Sequence, residues 1–232
     1  MTPARPPRTV ALAEADVVVF DCDGVLVDSE RLAIRVESAV LCELGWPLSE
    51  SEVVDRFVGR SSAYMHAEVE RHLGHAIDWD ATFARRHRAA FDADLDVVAG
   101  VREVLAALVA RGTPICVASS STHGSIEYKL RRTLLWDAFE GRVFSVEDVA
   151  SAKPAPDVFL LAAREMGAAP TRCAVVEDSV LGVAAGLAAG MGVYGYAGGV
   201  TSAERLAAPG VVVFDDMAAL LDLLERPSDA SR

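Results

Sequence analysis

The sequence has few of the features that mark membrane, nucleic-acid-binding or disulfide-rich proteins. Its four cysteines lie far apart, without a CxxC motif or a Cys/His cluster, which favours reduced thiols and gives no support for zinc. Lysine and arginine number 22 against 34 acidic residues, for a net charge of −12. Nucleic acids and anionic membranes bind through clustered basic residues, so we expect neither as a partner.

Long apolar segments are also scarce. The first residues carry Arg and Pro but no apolar stretch of the length that a secretory signal needs. The longest apolar run, residues 180–200, is broken repeatedly by glycine and has no centre rich in Leu, Ile or Phe, which indicates helix, turn and strand instead of a membrane span. We therefore expect a cytoplasmic protein.

What the sequence does contain is an alternation of apolar strands and amphipathic helices. Helices are predicted over 101–112, 157–167 and 180–189, and strands over 17–20, 113–120, 142–146, 173–179, 192–196 and 211–214. Alternation of this kind predicts an α/β fold with a doubly wound parallel sheet and right-handed crossovers.

One region departs from this alternation. Between the first strand and about residue 98 the chain shows helical periodicity and many charges, with no run of β-branched residues. We expect a small all-α insert at 31–98, called the helical insert below, and a core formed by 16–30 and 99–225. Residues 1–15 and 226–232 are expected to be loose tails.

Polar residues stand where the predicted strands end. Asp21 and Asp23 follow VVVF, and because side chains alternate in extended chain, both carboxylates project to one side. Glu177 and Asp178 close another apolar strand. Ligands of open α/β sheets bind beyond the carboxyl ends of the strands. If these two strands are neighbours, up to four carboxylates converge, a ligand set that suits Mg²⁺.

Two further segments supply groups that suit a phosphate. Lys153, in AKPAPD, stands in a loop stiffened by prolines and can balance both a carboxylate and a phosphate oxygen. The tract SSSTHGS (119–125) offers hydroxyl and backbone N–H groups. Its alternative interpretation is a polar loop with a helix N-cap, which we prefer for Ser125.

Taken together, these segments resemble the motifs of the haloacid dehalogenase superfamily, in which Mg²⁺-dependent phosphatases predominate. FDCDGVLVDSE is similar to the first motif, Ser119 to the second, Lys153 to the third and VVEDSVLGVAAGLAAGM to the fourth, over about Asp16 to Leu224. The resemblance implies a Rossmann-like core whose helical insert is a cap domain over the site.

The resemblance also implies roles for the strand-end residues. Asp21 would attack phosphorus to form an aspartyl-phosphate, and Asp23 would protonate the leaving group and then activate water. Phosphate would be bound by Ser119, Ser120, Lys153 and Gly24, and Mg²⁺ by Asp21, Asp23, Asp178 and Glu177. Family members that dehalogenate lack the second aspartate, so Asp23 indicates phosphoryl transfer.

The cap is expected to select the substrate, a small phosphorylated metabolite such as a sugar phosphate, bound by a monomer or weak dimer. Arg60 in FVGRSS is the candidate contact, with Arg35 and His66 as further candidates. The alternative for each is an ordinary surface cation. Such a cap would close over the site and exclude water.

Two other functions compete with a phosphatase. β-Phosphoglucomutases share the motifs, but they carry a cap histidine where this chain has Ala33 and an arginine where it has Ser62. A receiver-like phospho-acceptor domain also combines an aspartate, a hydroxyl and a lysine on a doubly wound sheet. Receivers place their acceptor on a later strand and have no helical insert, so the phosphatase is preferred over both.

Overall fold

A six-stranded, fully parallel sheet forms the centre of the computed structural model, which describes residues 10–225. The strands are β1 Val17–Phe20, β2 Ile115–Ser119, β3 Val143–Ser145, β4 Cys173–Glu177, β5 Gly192–Tyr196 and β6 Val211–Phe214. Their spatial order is β3-β2-β1-β4-β5-β6. Strands β2 and β3 are thus added on one side of β1, and strands β4, β5 and β6 on the other. This order confirms the predicted doubly wound parallel sheet.

The helices lie partly on the two faces of this sheet and partly in the segment between β1 and β2. They are α1 Ser29–Glu43, α2 Glu50–Phe57, α3 Ser62–Leu73, α4 Arg85–Asp94, α5 Val101–Ala110, α6 His123–Arg132, α7 Trp136–Phe139, α8 Asp157–Glu165, α9 Val180–Ala188, α10 Ala203–Leu206 and α11 Ala219–Glu225. Alternate residues of β1 enter different apolar clusters, Val18 and Phe20 on one face and Val17 and Val19 on the other. Burial on both faces explains why this strand reads as a continuous apolar run.

Helices α1 to α4 all fall between β1 and α5. Residues of α1 to α3, with Phe83 just before α4, form an apolar cluster of their own that includes Leu41, Val53 and Phe57, whereas Phe91 of α4 joins the main core. The segment that enters this region and the segment that leaves it run side by side. Val27 and Val97 form an antiparallel bridge, and backbone N–H groups of Asp28 and Val98 donate across the crossing. Helix α1 begins at Ser29, two residues before the helical insert as we defined it.

The prediction of a loose tail over 1–15 is wrong for residues 10–15. Val10 and Leu12 are buried in the main core, a 3₁₀ turn spans Leu12–Glu14, and the Tyr194 hydroxyl donates to the Val10 carbonyl at 3.0 Å. These apolar side chains cover the edge of the core beside α11, which composition alone does not reveal. Residues 1–9 and 226–232, also predicted as tails, lie outside the described residues.

Among residues 10–225, no helix has both the length and the apolar character needed to cross a membrane.

The packing of Leu12 gives a test of this N-terminal segment. We expect Leu12→Ala to lower the free energy of unfolding by about 2–5 kcal/mol, because it leaves a cavity at a side chain that is only 2 % exposed. Leu134→Ala is the matched control, since Leu134 is 82 % exposed and its loss changes stability by less than about 0.5 kcal/mol. Urea unfolding of both variants checks this, and equal midpoints for the two would contradict the packing.

Candidate active site at the carboxyl edge of the sheet

The reversal of strand order places two acidic strand ends next to each other. Strands β1 and β4 are paired in register, Phe20 opposite Val176, and the Asp21 N–H donates to the Val176 carbonyl at 3.0 Å. Carboxylate oxygens of Asp21, Glu177 and Asp178 therefore lie within 4.8 Å of one another, all on buried residues. In doubly wound sheets this reversal point is where the ligand crevice opens.

Lys153 is buried among these acids. Its Nζ donates to Asp21 Oδ1 at 2.7 Å, to Glu177 Oε1 at 2.7 Å and to the Ala118 carbonyl at 3.0 Å. Burial acts to lower the pKa of Lys153, but the charges of Asp21 and Glu177 outweigh it and hold the pKa above its usual value. The ammonium is therefore a permanent positive charge that joins the ends of three neighbouring strands.

Glu177 is fully engaged by its neighbours. While Oε1 accepts from Lys153, Oε2 accepts from the Ser179 N–H at 2.8 Å and from its hydroxyl at 2.9 Å. Helix α9 starts directly against this carboxylate, because a Cβ at Gly182 would lie 1.7 Å from Glu177 Oε1. Only glycine fits at this position, which explains physically why the segment VVEDSVLGVAAGLAAGM has its first glycine there.

Asp178 differs from Glu177 in having a free oxygen. Its Oδ2 is buried without a hydrogen-bond partner, as is Oε2 of the nearby Glu30. Gly24 makes room for this carboxylate: it has φ of +73°, and a Cβ on it would stand 2.0 Å from Asp178 Oδ2. The Gly24 N–H already donates to the Val27 carbonyl at 2.9 Å, so what Gly24 gives the site in this structure is space.

Burial and the crowding of negative charge raise the pKa values of three of these carboxyls. Burial, aided by neighbouring carboxylates, raises the pKa of Asp21 to about 7 although Lys153 opposes it. Burial raises the pKa of Glu30 to about 8, aided by Asp23, Asp21 and Glu177, and burial together with Glu30, Glu177 and Asp21 raises the pKa of Asp178 well above its usual value. Crowded carboxylates with unpartnered oxygens are the donor set that a hard divalent cation prefers, so the residues present fit Mg²⁺.

Asp23 occupies a different environment, two residues from Asp21. It accepts hydrogen bonds from the Ser29 hydroxyl, from the Ser121 hydroxyl at 2.7 Å and from Lys129 Nζ at 2.5 Å. Burial acts to raise the pKa of Asp23, but the charge and hydrogen bond of Lys129, with those from the two serines, hold it below its usual value. These surroundings therefore favour the carboxylate form of Asp23.

Lys129 and Glu30 were not identified from the sequence. Lys129 lies between Ile126 and Leu130 on the buried face of α6 and is 4 % exposed. A charge at that position of an amphipathic helix requires a buried partner, and this is the signal that could have identified it. Glu30, in the first turn of α1, gave no comparable signal, because acidic residues are common at helix starts.

The serine tract contributes in several ways. Ser119 is buried at the end of β2, and its hydroxyl accepts from the Ser121 N–H at 3.1 Å. The Ser120 hydroxyl reaches the Gly59 carbonyl at 3.4 Å. The N-cap of α6 is Thr122, whose hydroxyl accepts from the Ser125 N–H at 3.3 Å, so the preference for Ser125 as the cap was wrong. Helix α6 begins two residues earlier, at His123.

A cavity of about 600 Å³ lies over these residues, with the helical insert as its roof. Arg60 lines this cavity, and its guanidinium lies 4.4 Å from the centroid of the Tyr64 ring. Arg35 and His66 are absent from the described residues that line it. The helical insert and the core also contact each other directly, because the Arg31 guanidinium donates a hydrogen bond to the Gly198 carbonyl at 3.1 Å.

Comparison with known proteins relates this arrangement to one family. A family model described as haloacid dehalogenase-like hydrolase matches residues 15–190. The chain is 31% identical over 188 residues to the 6-phosphogluconate phosphatase of Escherichia coli (strain K12), covering 79% of this chain and 83% of that protein. It is 32% identical over 183 residues to a probable pseudouridine-5'-phosphatase of Drosophila melanogaster, covering 75% and 78%.

A solved structure gives the same relation. The crystal structure of a HAD family hydrolase from Deinococcus radiodurans R1, with bound phosphate and sodium, superposes with a TM-score of 0.71 at 33% sequence identity. The match covers 93% of this chain and 100% of that one.

The buried pair of Lys129 and Asp23 can be tested through stability. We expect Lys129→Met to lower the free energy of unfolding by about 3–5 kcal/mol at neutral pH, because Asp23 is then a buried charge without its cation. Arg131→Met, on the same helix, removes a cation whose side chain is 54% exposed and paired to Glu127, and we expect a loss below about 1 kcal/mol. Denaturant unfolding of the two variants measures the difference. Similar losses of unfolding free energy in the two variants would show that the burial of Lys129 does not determine the stability of its ion pair with Asp23.

Proposed function

Because the chain belongs to the haloacid dehalogenase-like hydrolase family and is a phosphoric monoester hydrolase, we propose that it is a Mg²⁺-dependent phosphatase. Its substrate would be a small phosphomonoester, a sugar phosphate or related metabolite, hydrolysed through an aspartyl-phosphate. The observation that carries this proposal is the position of Asp21, bound to Lys153 and next to the unpartnered oxygen of Asp178.

Asp21 is the proposed nucleophile. One of its oxygens is held by Lys153, and the other would attack phosphorus as the bond from phosphorus to the leaving oxygen breaks. Only the ionised carboxylate is nucleophilic, and with a pKa of about 7 Asp21 is only partly ionised near neutrality. A cation bound beside it would favour the ionised form.

Asp23 is the proposed acid and base. It would protonate the departing alkoxide and later take a proton from the water that hydrolyses the aspartyl-phosphate. The hydrogen bonds to Ser29, Ser121 and Lys129 suit the second step, because they favour a carboxylate. A phosphate dianion arriving beside Asp23 would raise its pKa, since like charges disfavour ionisation, and so would prepare it for the first step.

The cation would be held by Asp21, Asp178 and the main-chain carbonyl of Asp23. Glu177 would act through water or as the anchor of Lys153, because both of its oxygens already accept hydrogen bonds. When bound, Mg²⁺ would offset the charge of the transferring phosphoryl group. Lys153 and the hydroxyls of Ser119 and Ser120 would bind the remaining phosphoryl oxygens.

The helical insert is proposed to act as the cap. The cavity is closed above by residues of the insert, Arg60 among them, and the paired crossings at Val27 and Val97 would be the hinge. Ala33 and Ser62 also line the cavity, at the positions where β-phosphoglucomutases carry histidine and arginine. This supports a phosphatase over a mutase.

The nucleophile is tested by substitution. We expect the protein to hydrolyse p-nitrophenyl phosphate with Mg²⁺, and Asp21→Asn to lose at least about 10³-fold in kcat because the amide cannot form the phosphoryl intermediate. Asp137→Asn, at an exposed aspartate outside the cavity lining, should retain full activity. Hydroxylamine trapping of the aspartyl-phosphate and a parallel assay of glucose 1-phosphate isomerisation accompany the measurement.

An active Asp21→Asn variant would exclude this mechanism. Glucose 6-phosphate formed without release of free phosphate would instead identify a mutase.

The cation site is tested by its pH dependence. Protons held by Asp21, with a pKa of about 7, and by Asp178, whose pKa burial raises well above its usual value, must leave before a cation binds. We therefore expect Mg²⁺ affinity to rise from pH 6 to pH 8.5, by up to about tenfold per pH unit for each proton released. Calorimetric titration measures this, with Asp178→Asn as the variant that loses binding. Affinity that is constant over this range would contradict the proposed ligands.

A further inference from the structure

Unpartnered polar atoms are concentrated in the cavity. Among residues 10–225, four buried side-chain atoms have no hydrogen-bond partner: Glu30 Oε2, His87 Nε2, Trp136 Nε1 and Asp178 Oδ2. Three of the four belong to residues that line the cavity, all except Trp136. Buried polar groups in folded proteins are normally satisfied, so a cluster of exceptions indicates groups that wait for a ligand. The proposed cation accounts for Asp178, and Glu30 Oε2 lies beside the same Gly24 position as Asp178 Oδ2, but His87 is in the roof and remains unexplained.

His87 faces Glu37 across two helices of the insert. Glu37 lies on α1 and His87 on α4, and both side chains line the cavity, with exposures of 13% and 19%. His87 Nε2 lies 3.4 Å from Glu37 Oε1, yet the geometry does not make a hydrogen bond. No described residue donates a hydrogen bond to the Glu37 carboxylate. The pair thus consists of two polar groups in near contact on the wall of the cavity that share no hydrogen bond.

The His87 ring is held in place by aromatic neighbours. It is stacked on Phe91, with centroids 6.0 Å apart and planes inclined by 10°, and its centroid lies 6.3 Å from that of Phe83. These rings, one helical turn away on either side, restrict the orientation of the imidazole. The position of Nε2 is therefore preorganised, as a binding group requires.

The spacing of the pair suits one kind of ligand group. Two atoms 3.4 Å apart leave room for an oxygen about 2.8 Å from each. A hydroxyl can accept from an imidazole N–H and donate to a carboxylate at the same time. A carboxylate or phosphate cannot donate, and the charge of Glu37 would repel it. An alkyl group would leave both polar atoms buried and unpaired.

We propose that Glu37 and His87 form a subsite for a hydroxyl of the leaving group, which makes phosphomonoesters of polyhydroxyl compounds, sugars or polyols, the preferred substrates. The inference rests on the proposed phosphatase function and specifies the substrate class of the same site. It assigns recognition of the leaving group to a histidine and a glutamate of the cap, in addition to the candidate Arg60.

The test compares two phosphates of equal chain length. Sorbitol 6-phosphate and n-hexyl phosphate differ in the hydroxyls, and the ratio of their kcat/KM values reports recognition of those hydroxyls. We expect the unmodified protein to favour sorbitol 6-phosphate by at least about tenfold, and His87→Phe and Glu37→Gln each to lower this ratio by about tenfold, the effect of about one hydrogen bond to a buried group. His87→Phe keeps the aromatic stacking, and Glu37→Gln keeps the shape of the side chain.

A matched pair elsewhere in the insert serves as the control. His66 and Glu70, on α3, form a His–Glu contact of 3.0 Å outside the cavity lining. We expect His66→Phe and Glu70→Gln to leave the ratio unchanged, whatever they do to the melting temperature. A purely structural pair at Glu37 and His87 would likewise change melting temperature without changing the ratio.

The outcomes separate this inference from the proposed function. A ratio near one in the unmodified protein, or a ratio that survives both His87→Phe and Glu37→Gln, would overturn the subsite while Mg²⁺-dependent turnover still supports the phosphatase. Failure to hydrolyse p-nitrophenyl phosphate as well as both test phosphates would overturn the proposed function, and the subsite with it. If His87→Phe does not fold, the ratio of kcat/KM values in the unmodified protein and in Glu37→Gln still tests the proposed subsite.

Discussion

The ion pairs of Lys153 with Asp21 and Glu177 are the interactions on which the rest of the site depends. Asp21, Glu30, Glu177 and Asp178 bring more negative charge to the reversal point of the sheet than one buried ammonium can balance. Burial is the main cause of the raised pKa values of Asp21, Glu30 and Asp178, and the mutual repulsion of these carboxylates adds to it. A crevice with a deficit of positive charge is suited to a cation, and through the cation to an anionic substrate that the bare carboxylates would repel.

Burial and neighbouring charges also give different pKa values to two side chains of the same type, Asp21 and Asp23. Asp21 and Asp23 are two residues apart on one strand end, and each contacts its own lysine. Asp21 also faces other carboxylates, which help to raise its pKa, whereas Asp23 is surrounded by Ser29, Ser121 and Lys129, which lower it. Environments that move the pKa values of neighbouring acids in opposite directions are how one residue type can take two chemical roles.

Much of this could be predicted from the sequence because local patterns determine it. Apolar runs that end in polar residues located the strands and, with the parallel topology, the convergence of Asp21 with Asp178. The remainder depends on tertiary contacts. Lys129 meets Asp23 only because α6 packs its apolar face, with Ile126 and Leu130, into the main core. Glu37 meets His87 across fifty residues of chain. The docking of Val10 and Leu12 is likewise a contact with a distant part of the chain, for which a short apolar segment gives no periodic signal.

The bridge between Val27 and Val97 has a consequence for how such a protein can diversify. The chain leaves the sheet and comes back at nearly the same point, so the ends of the excursion are fixed by backbone hydrogen bonds and not by the length of chain between them. Because its two ends are paired with each other, a change in the length of that excursion need not disturb the register of β1. Insertions and deletions there would reshape the roof of the cavity while the carboxyl edge of the sheet below keeps its arrangement.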